Sequence, residues 1–235
     1  MKGLLYKDIV ISLKNTIFAT ILSIFLIVSS LFLDFEGNNF AIIVYSAIMS
    51  ISIMSIWTMI SFASFDNDEK CSWNKFVNTL SIPKKNIILS KYISVCLYLL
   101  VGVAFSFIQL FVVNIHEDFK LTSSSYMGIY IAFLLVLILL LMLIPLHIKF
   151  SSKSAGVILI IALIVLMMLL TIIVYFGDTM NFLDLDKLLL NISNAFIDNT
   201  KEAIKSLVIK SSIFSLVFLV LSYFVSLNIY KNKSF

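Results

Sequence analysis

Residues that commonly perform acid–base or nucleophilic chemistry are few and isolated in this chain of 235 residues. The two histidines, His116 and His147, stand at the edges of apolar segments and belong to no H-E-x-x-H sequence. No G-x-S-x-G sequence occurs, and no pair of carboxylates falls inside an apolar segment. We therefore expect both histidines to be interfacial polar residues, and we expect no catalytic site.

The sequence also lacks the parts of a nucleotide site. Its six glycines are too scattered to form the phosphate-binding sequence G-x-x-x-x-G-K-[ST]. All 17 basic residues are lysines, which cannot make the bidentate contacts that arginine makes with bases. We expect no cofactor in this chain and no nucleic-acid partner. If the protein moves a solute uphill, the energy must come from another polypeptide.

One polar segment carries an organised pattern. Its apolar residues are spaced i, i+3, i+4 and i+7, which places them on one face of a helix. These residues are Trp73, Phe76, Val77 and Leu80. The polar residues Asp68, Asn74, Lys75 and Asn78 fall largely on the opposite face. The spacing predicts a short amphipathic helix.

The limits of this helix are indicated by residues on both sides. Asp66 and Glu69 resemble a capping arrangement, with acidic residues in the first helical turn. Pro83 suits the first turn of a new helix, which would run through Lys91 into the next apolar block. Residues 66–91 are thus predicted to form a short helix, a break and a second helix.

The elements that carry this segment are membrane spans. Hydrophobic residues make up 61% of the chain and charged residues 13%, against about 45–50% and about 25% in soluble domains. The apolar blocks are about 20 residues long, which is enough to cross a hydrocarbon core about 30 Å thick. Six spans are predicted, at residues 15–33, 40–63, 92–114, 126–148, 155–176 and 208–230. The fold class is an all-α polytopic membrane protein, with residues 1–235 forming a single transmembrane domain.

Lysine distribution predicts the orientation. With the N-terminus inside, twelve lysines fall in cytoplasmic segments and five in outside segments. Both termini are therefore predicted to be cytoplasmic, and residues 66–91 form a cytoplasmic loop. Within the spans, Gln109 and Asn114 are expected to form hydrogen bonds between helices. The serines and threonine of the second span are expected to allow close helix packing.

A second organised segment, residues 178–207, precedes the last span on the predicted outer side. Its apolar residues recur at helical spacing, and they are Leu185, Leu188, Leu189, Ile192 and Phe196. Asn199 and Glu202 indicate a second helix start that leads into the last span. The pattern fits both a helix lying flat at the interface and a re-entrant helix. For the inner segment, pattern alone favours a Trp73 face that lies in the headgroup layer or on the protein's own helices over one that docks on a partner.

The loop between spans two and three resembles the signature loop of a family of small six-helix permeases, the membrane subunits of bacterial ATP-binding-cassette (ABC) exporters. The matching residues are Asp68-Glu69-Lys70, Trp73, Lys75-Phe76 and the run from Leu80 to Tyr92. The opening from Met1 to Asp8 resembles that family's start, an amphipathic helix at the inner surface. This resemblance implies an interfacial helix over residues 1–14.

The resemblance implies that the inner segment is a coupling helix seated in a groove of an ATPase subunit. The implied contact residues are Asp68, Glu69, Lys70, Trp73, Lys75, Phe76 and Leu80. ATP and Mg would be bound by the ATPase, present in two copies beneath two permeases, either two copies of this chain or this chain and a homologue. The outer apolar residues from Leu185 to Phe196 would then form an outer gate.

The cargo implied by the resemblance is an amphipathic peptide. The sequence is similar to permeases of staphylococcal exporters for cytolytic peptides, the phenol-soluble modulins, and related permeases give immunity to antimicrobial peptides. Spans without charged residues at their centres suit such cargo, and the location would be the bacterial cytoplasmic membrane. The alternative is a membrane immunity or structural protein that sequesters antimicrobial peptides without ATP-driven transport.

Overall fold

A computed structural model describes most of the chain as long helices. The described residues are 2–32, 39–71, 73, 76–77, 82–116, 123–150, 154, 157–158 and 201–232. The helices are α1 Lys2–Ser29, α2 Asn39–Lys70, α3 Lys84–His116, α4 Ser123–Lys149 and α5 Lys201–Asn232. A 3₁₀ turn, Ser30–Phe32, follows α1, and no strand occurs in the described ranges.

Each of the five helices contains a segment that is long and apolar enough to cross a membrane. These segments are Lys2–Ser29, Tyr45–Lys70, Lys84–Ile115, Gly128–Lys149 and Val208–Asn232. Segments of 22 to 32 residues rise about 33 to 48 Å, more than the hydrocarbon core of about 30 Å. Helices suit these segments because hydrocarbon offers no hydrogen-bond partners, and a helix pairs its backbone groups internally. The prediction of an all-helical membrane protein is confirmed.

Helix α3 packs against each of the other four helices, and α2 packs against α1, α3 and α4. The two helices approach closely at Gly102 of α3, where an added Cβ would come within 2.9 Å of the Met54 Cα of α2. Glycine is therefore required at this position for the two backbones to meet. Among the second-span hydroxyls, which are predicted to allow close packing, Ser50 and Ser61 are buried and donate to carbonyls of their own helix.

Helices α4 and α5 run in the same direction. Tyr130 bonds Ser211 at one end of the pair, and Ser222 donates to the Leu141 carbonyl farther along both helices. A parallel pair requires the connecting chain to return to the end at which α4 begins. The sequence predicts that return at residues 155–176, most of which fall outside the described residues. The six-span count therefore stays a prediction, as does the orientation of the termini.

In α1 several polar side chains are buried and large apolar side chains are exposed, which is the reverse of the pattern in a helix of a soluble protein. Helix α1 buries Asp8, Ser12 and Ser23, and it exposes large apolar side chains such as Phe18 and Phe25. An exposed face of this kind is stable against lipid, whereas in water it would favour aggregation. The predicted interfacial segment 1–14 and the start of the first span belong to this one continuous helix.

The end of α2 differs from the prediction. Asp66 and Glu69 lie in the last turns of α2, which runs to Lys70, so the predicted cap of a separate helix at these residues is wrong. Tertiary packing extends α2, because Phe62 and Phe65 on its final turns pack against His147 of α4. The predicted start of the next helix is confirmed, since α3 begins directly after Pro83.

Candidate functional site at the N-terminal end of the bundle

The candidate site lies where α1 begins, α2 ends and α3 begins, which we call the N-terminal end of the bundle. Consecutive helices α1, α2 and α3 are antiparallel, so residues distant in sequence meet there. Lys7 and Asp8 come from the second turn of α1, Asp68 from the last turn of α2, and Lys91 from the second turn of α3. We refer to these four residues as the ion-pair cluster.

Two ammonium groups and two carboxylates alternate in this cluster. Lys91 Nζ lies 2.8 Å from Asp8 Oδ1 and 2.6 Å from Asp68 Oδ2. Lys7 Nζ lies 2.5 Å from Asp68 Oδ1 and 3.4 Å from Asp8 Oδ1. Each lysine therefore bridges both aspartates, and the cluster ties three helices together without net formal charge.

Three members of the cluster are almost fully enclosed. The exposed fractions are 2% for Asp8, 5% for Asp68 and 7% for Lys91. The remaining Lys91 donor is also used, because its Nζ donates to Ser64 Oγ at 3.0 Å. A lysine ammonium has three donors, and here all three are directed to protein acceptors. Such complete satisfaction is what makes a buried charge tolerable in a low-dielectric environment.

The cluster contacts the predicted coupling segment through Lys7. Its Nζ lies 4.3 Å from the centre of the Trp73 ring, within the range of a cation–π interaction. Trp73 packs on Phe76 with ring centres 5.5 Å apart, and Val77 is fully buried in the main apolar core. The segment is thereby attached to the ends of the spans, and 55% of the Phe76 surface remains exposed.

Comparison with known families decides the class of protein. The family described as ABC-2 family transporter protein matches residues 3–231, nearly the whole chain. This chain belongs to the ABC-2 transporter family. It is therefore an ABC-type permease and a multi-pass membrane protein. Neither the curated proteins nor the solved structures give a match.

In this ABC-2 permease the predicted coupling residues divide into an inward set and an outward set. The inward set is Asp68, which belongs to the ion-pair cluster, and Trp73, which is half-buried beside the cluster. Glu69, Lys70 and Phe76 are exposed. Two more predicted contact residues, Lys75 and Leu80, lie outside the described residues. The same holds for all five predicted gate residues, Leu185, Leu188, Leu189, Ile192 and Phe196.

Three members of the cluster were not predicted as site residues. Lys7 and Lys91 counted toward orientation and lay within the two segments that carried the resemblance, and Asp8 counted only as part of the N-terminal resemblance. A signal for Asp8 was nevertheless present, because it is the only acidic residue before Asp34 and shares a helical face with Ser12. A polar stripe on an otherwise apolar helix indicates a buried polar contact.

The ABC-2 permease also buries polar groups deeper in α3. Gln109 is fully buried, and neither its Oε1 nor its Nε2 has a hydrogen-bond partner among the described residues. The Asn114 Oδ1 is likewise buried without one in the same part of the chain. The predicted hydrogen bonds between helices are thus not formed by these atoms within the described ranges. In the part of the chain that the structure describes, no group of three or more His, Cys, Asp or Glu side chains is placed to hold a metal ion.

Proposed function

We propose that this ABC-2 permease is the membrane subunit of an exporter driven by a separate ATPase. In this proposal two ATPase subunits bind ATP and Mg and dock below two permeases, either two copies of this chain or this chain and a homologue. The permease moves amphipathic or cytolytic peptides, such as phenol-soluble modulins, out of a bacterial cell. The family membership supports the permease role, and the sequence resemblance supports the peptide cargo.

The observation that carries the proposal is the attachment of the coupling segment to three helices at once. Trp73 contacts Lys7 through its ring. Lys7 forms an ion pair with Asp68, and Asp68 forms one with Lys91, so movement of Trp73 would displace all three residues. Side chains packed around a buried, fully satisfied cluster move as a unit, because separating the charges is costly. Displacement of the segment would therefore shift the ends of α1, α2 and α3 together.

The proposed docking surface is the outward set, Glu69, Lys70 and Phe76, with Lys75 and Leu80 added by the resemblance. An exposed aromatic side chain among charged neighbours is typical of an interface hot spot with a polar rim. Asp68 then acts as internal support for this surface, not as a contact to the ATPase. Trp73 belongs to both sets, since its ring contacts Lys7 and the exposed Phe76, and the residue is only partly buried.

The proposed route of the cargo starts in the membrane. An amphipathic peptide lies at the surface of a leaflet with its apolar face buried, so it would reach the permease laterally, between two protomers. The segment from Leu185 to Phe196 would gate the exit. Cross-linking Leu189, as cysteine, to the outer end of a neighbouring span should then stop peptide release and ATP hydrolysis together. Release that continues at the normal rate with the link fully formed would refute the gate.

The test of coupling compares two exposed phenylalanines. Phe76→Ala should reduce co-purification with the ATPase and its stimulated hydrolysis at least tenfold, because an aromatic hot spot contributes about 2 kcal/mol or more. Phe111→Ala, at the opposite end of α3, removes an equally exposed ring and should leave both activities unchanged. Equal behaviour of the two variants would contradict the docking assignment.

Cells that express the permease with an active ATPase, with an inactive ATPase or alone separate export from sequestration. Export predicts that cells resist an added cytolytic peptide only when the ATPase is present and able to hydrolyse ATP. Sequestration predicts undiminished protection by the permease alone, and that result would refute the transport proposal while leaving the family membership intact.

A further inference from the structure

A cleft lies at the N-terminal end of the bundle, between the last turns of α4 and α5. It has a volume of about 320 Å³, and its described lining residues are Lys149 of α4 with Asn228, Ile229 and Asn232 of α5. This volume is at the lower end of the range for small-molecule sites. Because α4 and α5 run in parallel, the last turns of both helices bring their polar residues to the same level.

The polar groups of the cleft favour an anion. Lys149 is an exposed residue whose Nζ lies 5.2 Å from the centre of the Phe150 ring. Lys231 lies at the end of α5 and Lys84 at the start of α3, where Lys84 Nζ donates to the Lys231 carbonyl at 3.4 Å. The side-chain amides of Asn228 and Asn232 add N–H donors. The last turns of α4 and α5 contain no acidic residue, and the acidic groups that act on this end of α4 are Asp66 and Glu69 of α2, which interact with His147. Lysine binds phosphate as a point charge, so a phosphate group matches this set.

An apolar stripe continues from the cleft toward the middle of the membrane. Val217, Leu221 and Val225 precede Ile229 at intervals of four residues, which places all four on one face of α5. The first three are at least half exposed. From Val217 to Ile229 the helix rises about 18 Å, close to half of a hydrocarbon core about 30 Å thick. The stripe therefore has the length of one leaflet.

We infer that this cleft binds the phosphate headgroup of an anionic phospholipid, whose acyl chain lies along the α5 stripe. A soluble anion would use only the lysine and the amides, whereas a phospholipid would also cover the α5 stripe. A second copy of the chain would bring two exposed Lys149 ammoniums toward one interface, where lysine is depleted. An anionic lipid satisfies both parts of the surface, and basic sites between helix ends commonly hold such headgroups.

The experiment uses the purified full chain without any ATPase, reconstituted in phosphatidylcholine containing a minor fraction of phosphatidylglycerol. After re-extraction, mass spectrometry measures the ratio of the two lipids that remain bound. The wild type should be enriched in phosphatidylglycerol, and Lys149→Gln should lower the enrichment about fivefold, the factor for one lysine near an anionic surface. Lys149→Arg should retain it. The matched control is Lys210→Gln, an exposed lysine at the opposite end of α5, which should have no effect.

Two further measurements make the result decisive. Millimolar inorganic phosphate should not displace the bound phosphatidylglycerol, and displacement would show a soluble-anion site and overturn the inference. Thermal unfolding in detergent should be the same for Lys149→Gln and wild type, because Lys149 is exposed. Equal enrichment in both proteins, or a change in oligomeric state in place of a change in lipid, would also overturn it. These outcomes do not involve the ATPase, so they leave the transport proposal untouched.

Discussion

Ser222 of α5 supplies a hydrogen bond that Pro145 removes from α4. Proline has no N–H, so the Leu141 carbonyl four residues earlier loses its helical donor. Ser222 Oγ donates to that carbonyl at 2.6 Å. An unpaired buried acceptor costs about 1–3 kcal/mol, while hydrogen bonds between membrane helices average about 0.6 and reach about 1.7 kcal/mol. We predict that Ser222→Ala lowers the free energy of unfolding by about 1–2 kcal/mol.

A double-mutant cycle isolates this bond from the other role of Ser222, its hydrogen bond with Tyr92. In a Pro145→Ala background the backbone N–H at position 145 is restored and can donate to Leu141. Ser222→Ala should then cost only about 0.5 kcal/mol, which gives a coupling energy of about 1 kcal/mol between the two positions.

The measurement is unfolding in mixed micelles, followed by the loss of helical circular dichroism as the fraction of denaturing detergent rises. Ser226→Ala is the control, because Ser226 bonds Tyr92 at 2.8 Å but makes no bond to Leu141. Its cost should be the same with and without Pro145. If Ser222→Ala costs equal amounts in both backgrounds, the serine does not replace the missing helical bond and the reasoning fails.

Two further predictions concern helix packing and the ion-pair cluster. Gly102→Ala should destabilise the protein by about 1–3 kcal/mol in the same assay, because its Cβ would meet the Met54 Cα at 2.9 Å. Gly3→Ala is its control, since a Cβ there meets nothing within 4 Å, and a loss of stability in this control would undermine the packing argument. Asp8→Asn should cost about 3–5 kcal/mol by leaving an excess buried positive charge, and adding Lys91→Gln should recover part of that loss. A double variant less stable than Asp8→Asn alone would contradict the charge-balance explanation.

Much of the fold could be predicted because the controlling properties are local. Whether a segment spans the membrane depends mainly on its own apolar length, and each described span overlaps a predicted one. The start of α3 was likewise predictable, since Pro83 excludes an interior helical position by its own geometry. The cap at Asp66 failed because the contacts of Phe62 and Phe65 with His147 extend α2, and those contacts join residues about 80 positions apart.

The candidate site was predicted in part. Spacing located the apolar face of the coupling segment, but it could not distinguish Val77, which is buried, from Phe76, which is exposed. Both occupy the same helical face, and only the position of the neighbouring helices decides which of them is covered. Family resemblance pointed to Asp68, but the direction of its side chain depends on lysines from two other helices.

By itself the sequence determined that the chain is a helical membrane protein, that it contains no nucleotide-binding loop, and that its informative polar segment follows the second span. These properties depend on composition and short spacings. Only the tertiary structure decided that Lys7, Asp8, Asp68 and Lys91 form one neutral cluster, because Asp8 and Lys91 are 83 residues apart. A buried charge is stable only beside its counter-charge, and the packing of α1, α2 and α3 alone brings these partners together.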